Sequence, residues 1–183
     1  NTIASLTRSD PEKAETAVEN LSDLFRISLS DARKQLSLEE EIELCQRYLE
    51  IEQLRLGDRL NVQWQLDVPN DAQVPALLLQ PLLENAIYYG IESQTEGGSI
   101  TIKGQQNNKQ IEFTIINSLP DEKSQQRQQG NQLAQNNVRE RLAALYSHRG
   151  NLTVTENKNQ YQVTLQFPYE QPYQTESHEN FDR

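Results

Sequence analysis

The sequence predicts an α+β fold, a two-layer sandwich in which helices cover one face of a five-stranded mixed sheet, preceded by further helices. Two observations carry this expectation. Apolar residues recur at helical spacing early in the chain and again in two later segments, and they alternate with polar ones in five short runs. The segments follow one another as two helices, strand, helix, two strands, loop, helix, two strands, an order that fits neither an all-helical nor an all-strand domain.

Asp10-Pro11 opens the first helix, because Asp caps free N–H groups and Pro tolerates the first helical position. Val18, Leu21, Phe25 and Ala32 then recur at helical spacing. Ser37 with Glu40 forms a capping box for the second helix. Its stripe of Leu38, Ile42, Cys45 and Leu49 and a neighbouring one of Leu44, Tyr48 and Ile51 make an apolar face wide enough for two partner surfaces, and Gly57-Asp58 ends it. Glu39 to Glu43 form an acidic first turn that suits the helix dipole, either as a solvated face or as a docking surface.

Leu60, Val62, Trp64, Leu66 and Val68 alternate with polar residues, which predicts a half-buried strand. Residues 69–75 read as a turn, and 77–91 as a largely buried helix with Pro81 near its start. Residues 100–102 and 111–116 read as a hairpin joined through 105–109. The polar, glutamine-rich run 118–132 reads as a long loop, of a length that usually marks a lid, a binding loop or disorder. A helix over 135–146, presenting Val138, Leu142 and Leu145, precedes a second hairpin of 151–155 and 161–167. The polar tail beyond Pro168 reads as disordered. Trp64 and Cys45 read as core packing and a small buried thiol.

Composition excludes several functions. The 183 residues carry a net charge of −10, which leaves no basic stripe for nucleic acid and no attraction to anionic lipid. No apolar run approaches the roughly 18 residues of a membrane span. The one cysteine cannot form an intrachain disulfide. The first residue is Asn1 rather than Met, so the chain reads as a fragment, with any membrane attachment through an upstream segment.

Three stretches carry a family resemblance: Leu38-Glu39-Glu40-Glu41-Ile42-Glu43-Leu44 running on to Tyr48-Leu49-Glu50-Ile51-Glu52 and Leu56-Gly57-Asp58-Arg59; Val74-Pro75-Ala76-Leu77-Leu78-Leu79-Gln80-Pro81-Leu82-Leu83-Glu84-Asn85-Ala86-Ile87; and Asn137-Val138-Arg139-Glu140-Arg141-Leu142. In this order and spacing the chain resembles, over about residues 1–167, the cytoplasmic portion of LytS/AlgZ-type sensor histidine kinases. The resemblance implies the fold shared by histidine kinases, gyrase and Hsp90. It assigns 1–36 to the remainder of a dimerisation and phosphoacceptor helical region, 37–168 to an ATP-binding-type catalytic domain with helix 38–56 as connector, and 169–183 to the tail. The family's phosphoacceptor histidine belongs just upstream of Asn1 and is not in this chain. His148 and His178 read as ordinary surface histidines.

The resemblance also implies a site. Asn85 matches the asparagine that ligates Mg²⁺ bridging the phosphates of ATP, a fitting donor for a hard cation; the other reading is an asparagine that caps buried backbone. Glu84 either polarises the attacking imidazole or faces solvent. Tyr88 and Tyr89 stand where relatives carry Lys and His, leaving the nucleotide a hydroxyl from Tyr89 where a cation is usual. Asn117 takes the place of an adenine-binding Asp, or simply ends a strand, and Leu119 replaces a glycine. The glycines expected to open the last helix fall at Gln132 and Ala134, while Gly130 remains as a candidate hinge. The resemblance places Asn85 on the floor of a cleft roofed by the segment ending near Gly130.

Two functions follow. One is the kinase portion of a two-component sensor, with ATP and Mg²⁺ as cofactors, a response regulator as partner and a homodimer through the N-terminal helices, on the cytoplasmic side of an inner membrane. The other is a pseudokinase-like signalling module that regulates its partner with weak or no ATP binding, as the degraded glycine boxes suggest. A gyrase-like or chaperone ATPase fits less well, because Pro81 stands where its water-activating acid belongs.

Overall fold

In a computed structural model, described over residues 2–28, 35–119 and 126–169, alternation and helical spacing resolve into five α-helices and seven strands. Helices α1 (Thr2–Ser9) and α2 (Pro11–Ser28) meet at Asp10, whose carboxylate accepts the Lys13 backbone N–H at 3.2 Å. Ala32 and the tail from residue 170 lie outside the described residues.

The predicted capping box starts α3 (Leu38–Leu56): Ser37 Oγ accepts the Glu40 N–H at 3.2 Å and Glu40 accepts the Ser37 N–H at 2.8 Å. Gly57 ends it at φ 58°, a left-handed position that favours glycine. Just upstream, β1 (Gln35–Ser37) pairs antiparallel with β3 (Gln73–Pro75), in the stretch expected to be only a turn. Three-residue strands are too short for alternation to reveal.

The main sheet has the order β2-β4-β5-β7-β6, formed by Leu60–Asp67, Gly98–Asn107, Gln110–Ser118, Gln160–Pro168 and Asn151–Glu156. Only β2 and β4 run parallel, joined by a crossover that carries helix, while the other pairs are antiparallel. The expected five-stranded mixed sheet is therefore present. Its first hairpin is tighter than expected, turning at Asn108 with φ 56°.

One sheet face is dry. Ile100, Ile102, Ile111, Phe113, Ile115, Leu165 and Phe167 pack under Leu38, Leu49, Leu82, Leu83, Ile87, Val138 and Leu142. Phe113, Phe167 and Tyr146 stack with centroids 6.4 and 5.4 Å apart. The Tyr146 hydroxyl, having lost water, donates to the Gln73 carbonyl at 2.7 Å.

Three expectations need correction. The helix read as 77–91 is α4 (Gln80–Asn85) continuing as a π-helix (Ala86–Glu92), because Leu77 turns through a left-handed φ of 58° before Pro81 can seat the first turn. The loop read as 118–132 is helical from residue 126, where α5 (Gln126–Tyr146) begins, so glutamines that carry no apolar period still extend a helix anchored further along. Residues 120–125 lie outside the described residues. Within the acidic turn of α3, Glu41 is fully buried rather than solvated, since its carboxylate accepts the N–H groups of Leu77 at 2.9 Å and Leu79 at 2.8 Å.

Ser37→Ala removes half of the capping box. Urea unfolding is expected to show a loss of about 1 kcal/mol without change of fold.

Candidate functional site

Helix α4 begins with Pro81 in its first turn and has no cap from its own side chains. One turn on, the chain widens into the π-helix, a rare form concentrated at functional sites. Along this segment Leu82, Leu83, Ala86 and Ile87 face the core. Glu84 and Tyr88 are exposed, and Asn85 and Tyr89 are half-buried.

These last four residues form one wall of an open cleft of about 440 Å³. The opposite wall is α3, through Tyr48, Glu52 and Arg55, and Glu92 closes one end. The predicted Glu84, Asn85 and Tyr89 are thus together. The rings of Tyr88 and Tyr89 meet edge to face, centroids 4.7 Å apart at 87°. Asn85 makes no side-chain hydrogen bond among the described residues, which leaves its oxygen available to a ligand.

The cleft is acidic. Three carboxylates, Glu52, Glu84 and Glu92, face one guanidinium, Arg55, which is ion-paired with both Glu52 and Glu92. Glu84 accepts only an amide proton from Gln80, at 2.9 Å. Burial, and then the charges of Glu52 and Glu84, hold the Tyr48 phenol well above its ordinary range. A bare polyanion would meet net repulsion here. No group of three His, Cys, Asp or Glu side chains among the described residues could hold a metal by itself. Asn85 could give one neutral oxygen to a hard cation, whose remaining ligands would have to come from elsewhere.

The other predicted residues stand elsewhere. Asn117 is 3% exposed at the end of β5, with its amide donating to the Ser118 carbonyl at 2.8 Å. It lies so close to the π-helix that a Cβ on Gly90 would come within 2.3 Å of its Nδ2. Gly130 and Ala134 both fall within α5, so Gly130 is not the hinge of a loop. Asn117 does not line this cleft, whose second wall is α3, and the roof expected to end near Gly130 falls largely outside the described residues. Tyr48, Glu52, Arg55 and Glu92 were not singled out beforehand. The signal for the first three was spacing: residues 48, 52 and 55 share one face of a helix.

Beside Ala134, Gln135 is buried and donates to the Tyr161 hydroxyl. Burial, with help from the Glu156 charge, pushes the Tyr161 phenol up to about 12.

The histidine kinase family profile matches residues 1–60. The chain is 31% identical to the sensor protein LytS of Staphylococcus saprophyticus over 181 residues, covering 92% of this chain and 31% of that protein. It is 32% identical to the sensor histidine kinase YpdA of Escherichia coli over 155 residues, covering 80% of this chain and 27% of the relative. It thus spans about a third of the length of these relatives. Among solved structures, the catalytic domain of histidine kinase ThkA superposes with a TM-score of 0.55 at 14% identity, covering 76% of this chain and 98% of that one. The Acinetobacter baumannii histidine kinase AdeS gives 0.55 at 16%, covering 87% and 80%. ThkA in complex with the response regulator protein TrrA gives 0.50 at 15%, covering 90% and 50%.

Gly90→Ala is expected to displace Asn117 and cost about 1–3 kcal/mol in chemical denaturation. The fold favours the neutral Tyr161 phenol, so its contribution is complete below pH 10 and lost as pH rises through about 12. Over that window wild-type stability should fall by about 2 kcal/mol more than that of Tyr161→Phe, read from denaturation midpoints at stepped pH.

Proposed function

This chain has the fold of a histidine kinase catalytic domain and is related over most of its length to LytS-type sensor proteins; on that footing we propose that it is the cytoplasmic kinase portion of a two-component sensor. In this reading ATP and Mg²⁺ bind beside Asn85, and the γ-phosphoryl group passes to a histidine upstream of this chain and then to an aspartate of a response regulator. The observation that carries the reading is the placement of Asn85, on the helix with the family's metal-binding pattern, half-buried at a cleft with no competing hydrogen bond among the described residues.

Bound Mg²⁺ would supply positive charge against the phosphates. The rest falls to side chains of this chain. Asn85 would hold the cation through its amide oxygen, and Tyr88 and Tyr89, on the same wall, would offer hydroxyls to the nucleotide. Glu84, exposed and adjacent, is placed to accept a proton or polarise an imidazole brought to the cleft. Asn117 stands directly against Gly90 of the π-helix. For α2, Val18 and Phe25 are 49% and 58% exposed, an apolar face suited to pairing in a homodimer. No helix of the described residues is long and apolar enough to cross a membrane, and the proposed inner-membrane attachment belongs to a segment outside this chain.

A second reading, the signalling module with impaired ATP binding, is favoured by a separate observation. Gln132 and Ala134, at the places of two glycines, are built into α5, and Leu119 stands at a third. A helix with side chains there offers phosphate oxygens fewer free N–H groups than a glycine turn does.

Calorimetric titration with a non-hydrolysable ATP analogue and Mg²⁺ separates the two. The kinase reading expects micromolar affinity that Asn85→Ala removes. No heat at millimolar nucleotide would assign the chain to the second reading.

A further inference from the structure

Helix α3 reaches both ends of the segment that carries Asn85. At the near end, Glu41 is the only charged side chain among the described residues that is fully buried. Its two oxygens accept the N–H groups of Leu77 and Leu79, at 2.9 and 2.8 Å, and those of Leu78 and Gln80 also point at it. The Leu79 and Gln80 groups are donors that a helix start leaves without partners, those of Leu77 and Leu78 belong to the turn before it, and α4 has no cap of its own. Leu77 sits at a φ of 58°, a conformation that costs a non-glycine residue about 1–3 kcal/mol and persists only when its surroundings impose it. Glu41 holds that turn from α3, and Arg141 holds it from α5 through the Ala76 carbonyl at 2.6 Å.

At the far end the charges are reversed. Arg55 is ion-paired with Glu92, the last residue of the π-helix. Arg59, in the turn that follows α3, donates to the carbonyls of Gln94 at 2.8 Å and Glu92 at 3.4 Å. An anion at the start and cations at the finish match the helix dipole. Glu41 and Arg55 stand roughly 20 Å apart along α3, close to the length of the segment they grip. Two fixed ends set the register, and register is what puts Asn85 across the cleft from Tyr48.

We infer that α3 is a two-point clamp on the Asn85 helix, with Glu41 as a positioning residue that holds Asn85 in place through Leu77–Leu79. On its outer side α3 is joined to α2 by Arg47–Asp23 at 2.6 Å and Asn20–Glu50 at 3.2 Å. A shift of the N-terminal helices therefore reaches Asn85 through α3, without passing through the sheet. The inference deepens the kinase reading and rests on it for the role of Asn85.

The test is amide hydrogen exchange, resolved by residue, on the whole chain. Glu41→Gln keeps the volume but turns an N–H₂ group toward an N–H donor. Exchange at residues 82–92 is expected to rise about tenfold or more, while β4, β5 and β7 stay as in wild type. Arg55→Met, at a side chain 41% exposed, should quicken the same residues from the other end and decides the question alone if Glu41→Gln fails to fold. Glu140→Gln on the exposed face of α5 is the control that should change nothing. Quickening confined to residues 77–80, or spread evenly over the chain, overturns the clamp. In the presence of Mg²⁺ and the ATP analogue, Glu41→Gln should also weaken binding about tenfold. If wild type binds no nucleotide, the ATP reading fails by itself, and exchange still judges the clamp.

Discussion

A sheet with one apolar face has to be covered on that face, and this constraint decides where everything else can go. The helical cover consists of α3, the α4–π segment and α5, with α4 touching both of the others. Each β-strand points alternate residues down, so Ile100, Ile102, Ile111, Phe113, Ile115 and Leu165 present one continuous surface. Packing Leu82, Leu83 and Ile87 onto it turns Glu84, Asn85, Tyr88 and Tyr89 away from the sheet. The site residues face away from the core, exposed or half-buried, because their neighbours in sequence are needed below.

Helix α4 starts over buried, water-free ground, so its first N–H groups require partners from within the protein. Glu41, from α3, accepts the Leu79 N–H at the helix start and the Leu77 N–H of the turn before it, while Arg141 donates to the Ala76 carbonyl at 2.6 Å from α5. The turn from Ala76 to Leu79 is thus held from both sides. An orphaned N–H in such a place costs about 1–3 kcal/mol, more than an ordinary surface ion pair gives back.

The links between α2 and α3 are of that weaker kind. Arg47 and Asp23 are 39% and 32% exposed, and pairs in such settings are worth about 0–1 kcal/mol. The N-terminal helices are therefore tied lightly to α3, whereas α3 is tied firmly to the Asn85 helix. A signal arriving at the helices would meet its weakest joint first, before the joint that shapes the cleft. That cleft is acidic, with Glu52, Glu84 and Glu92 around one guanidinium and Tyr88 and Tyr89 on its wall.

The amino-acid sequence by itself determined the fold class, five strands, the Ser37–Glu40 cap and the family, because period-two alternation, helical spacing and cap chemistry are local. It also placed Glu84, Asn85 and Tyr89 side by side, since they sit within two turns of one helical segment. Tertiary structure alone decided that Glu41 is buried among its acidic neighbours, because only a long-range partner at Leu77–Leu79 could satisfy it. Likewise it decided that Tyr48, Glu52 and Arg55 face Asn85, that Asn117 stands behind Gly90, and that α5 begins at Gln126. Each depends on which surface meets which across the fold, and such pairings leave no period in a single chain.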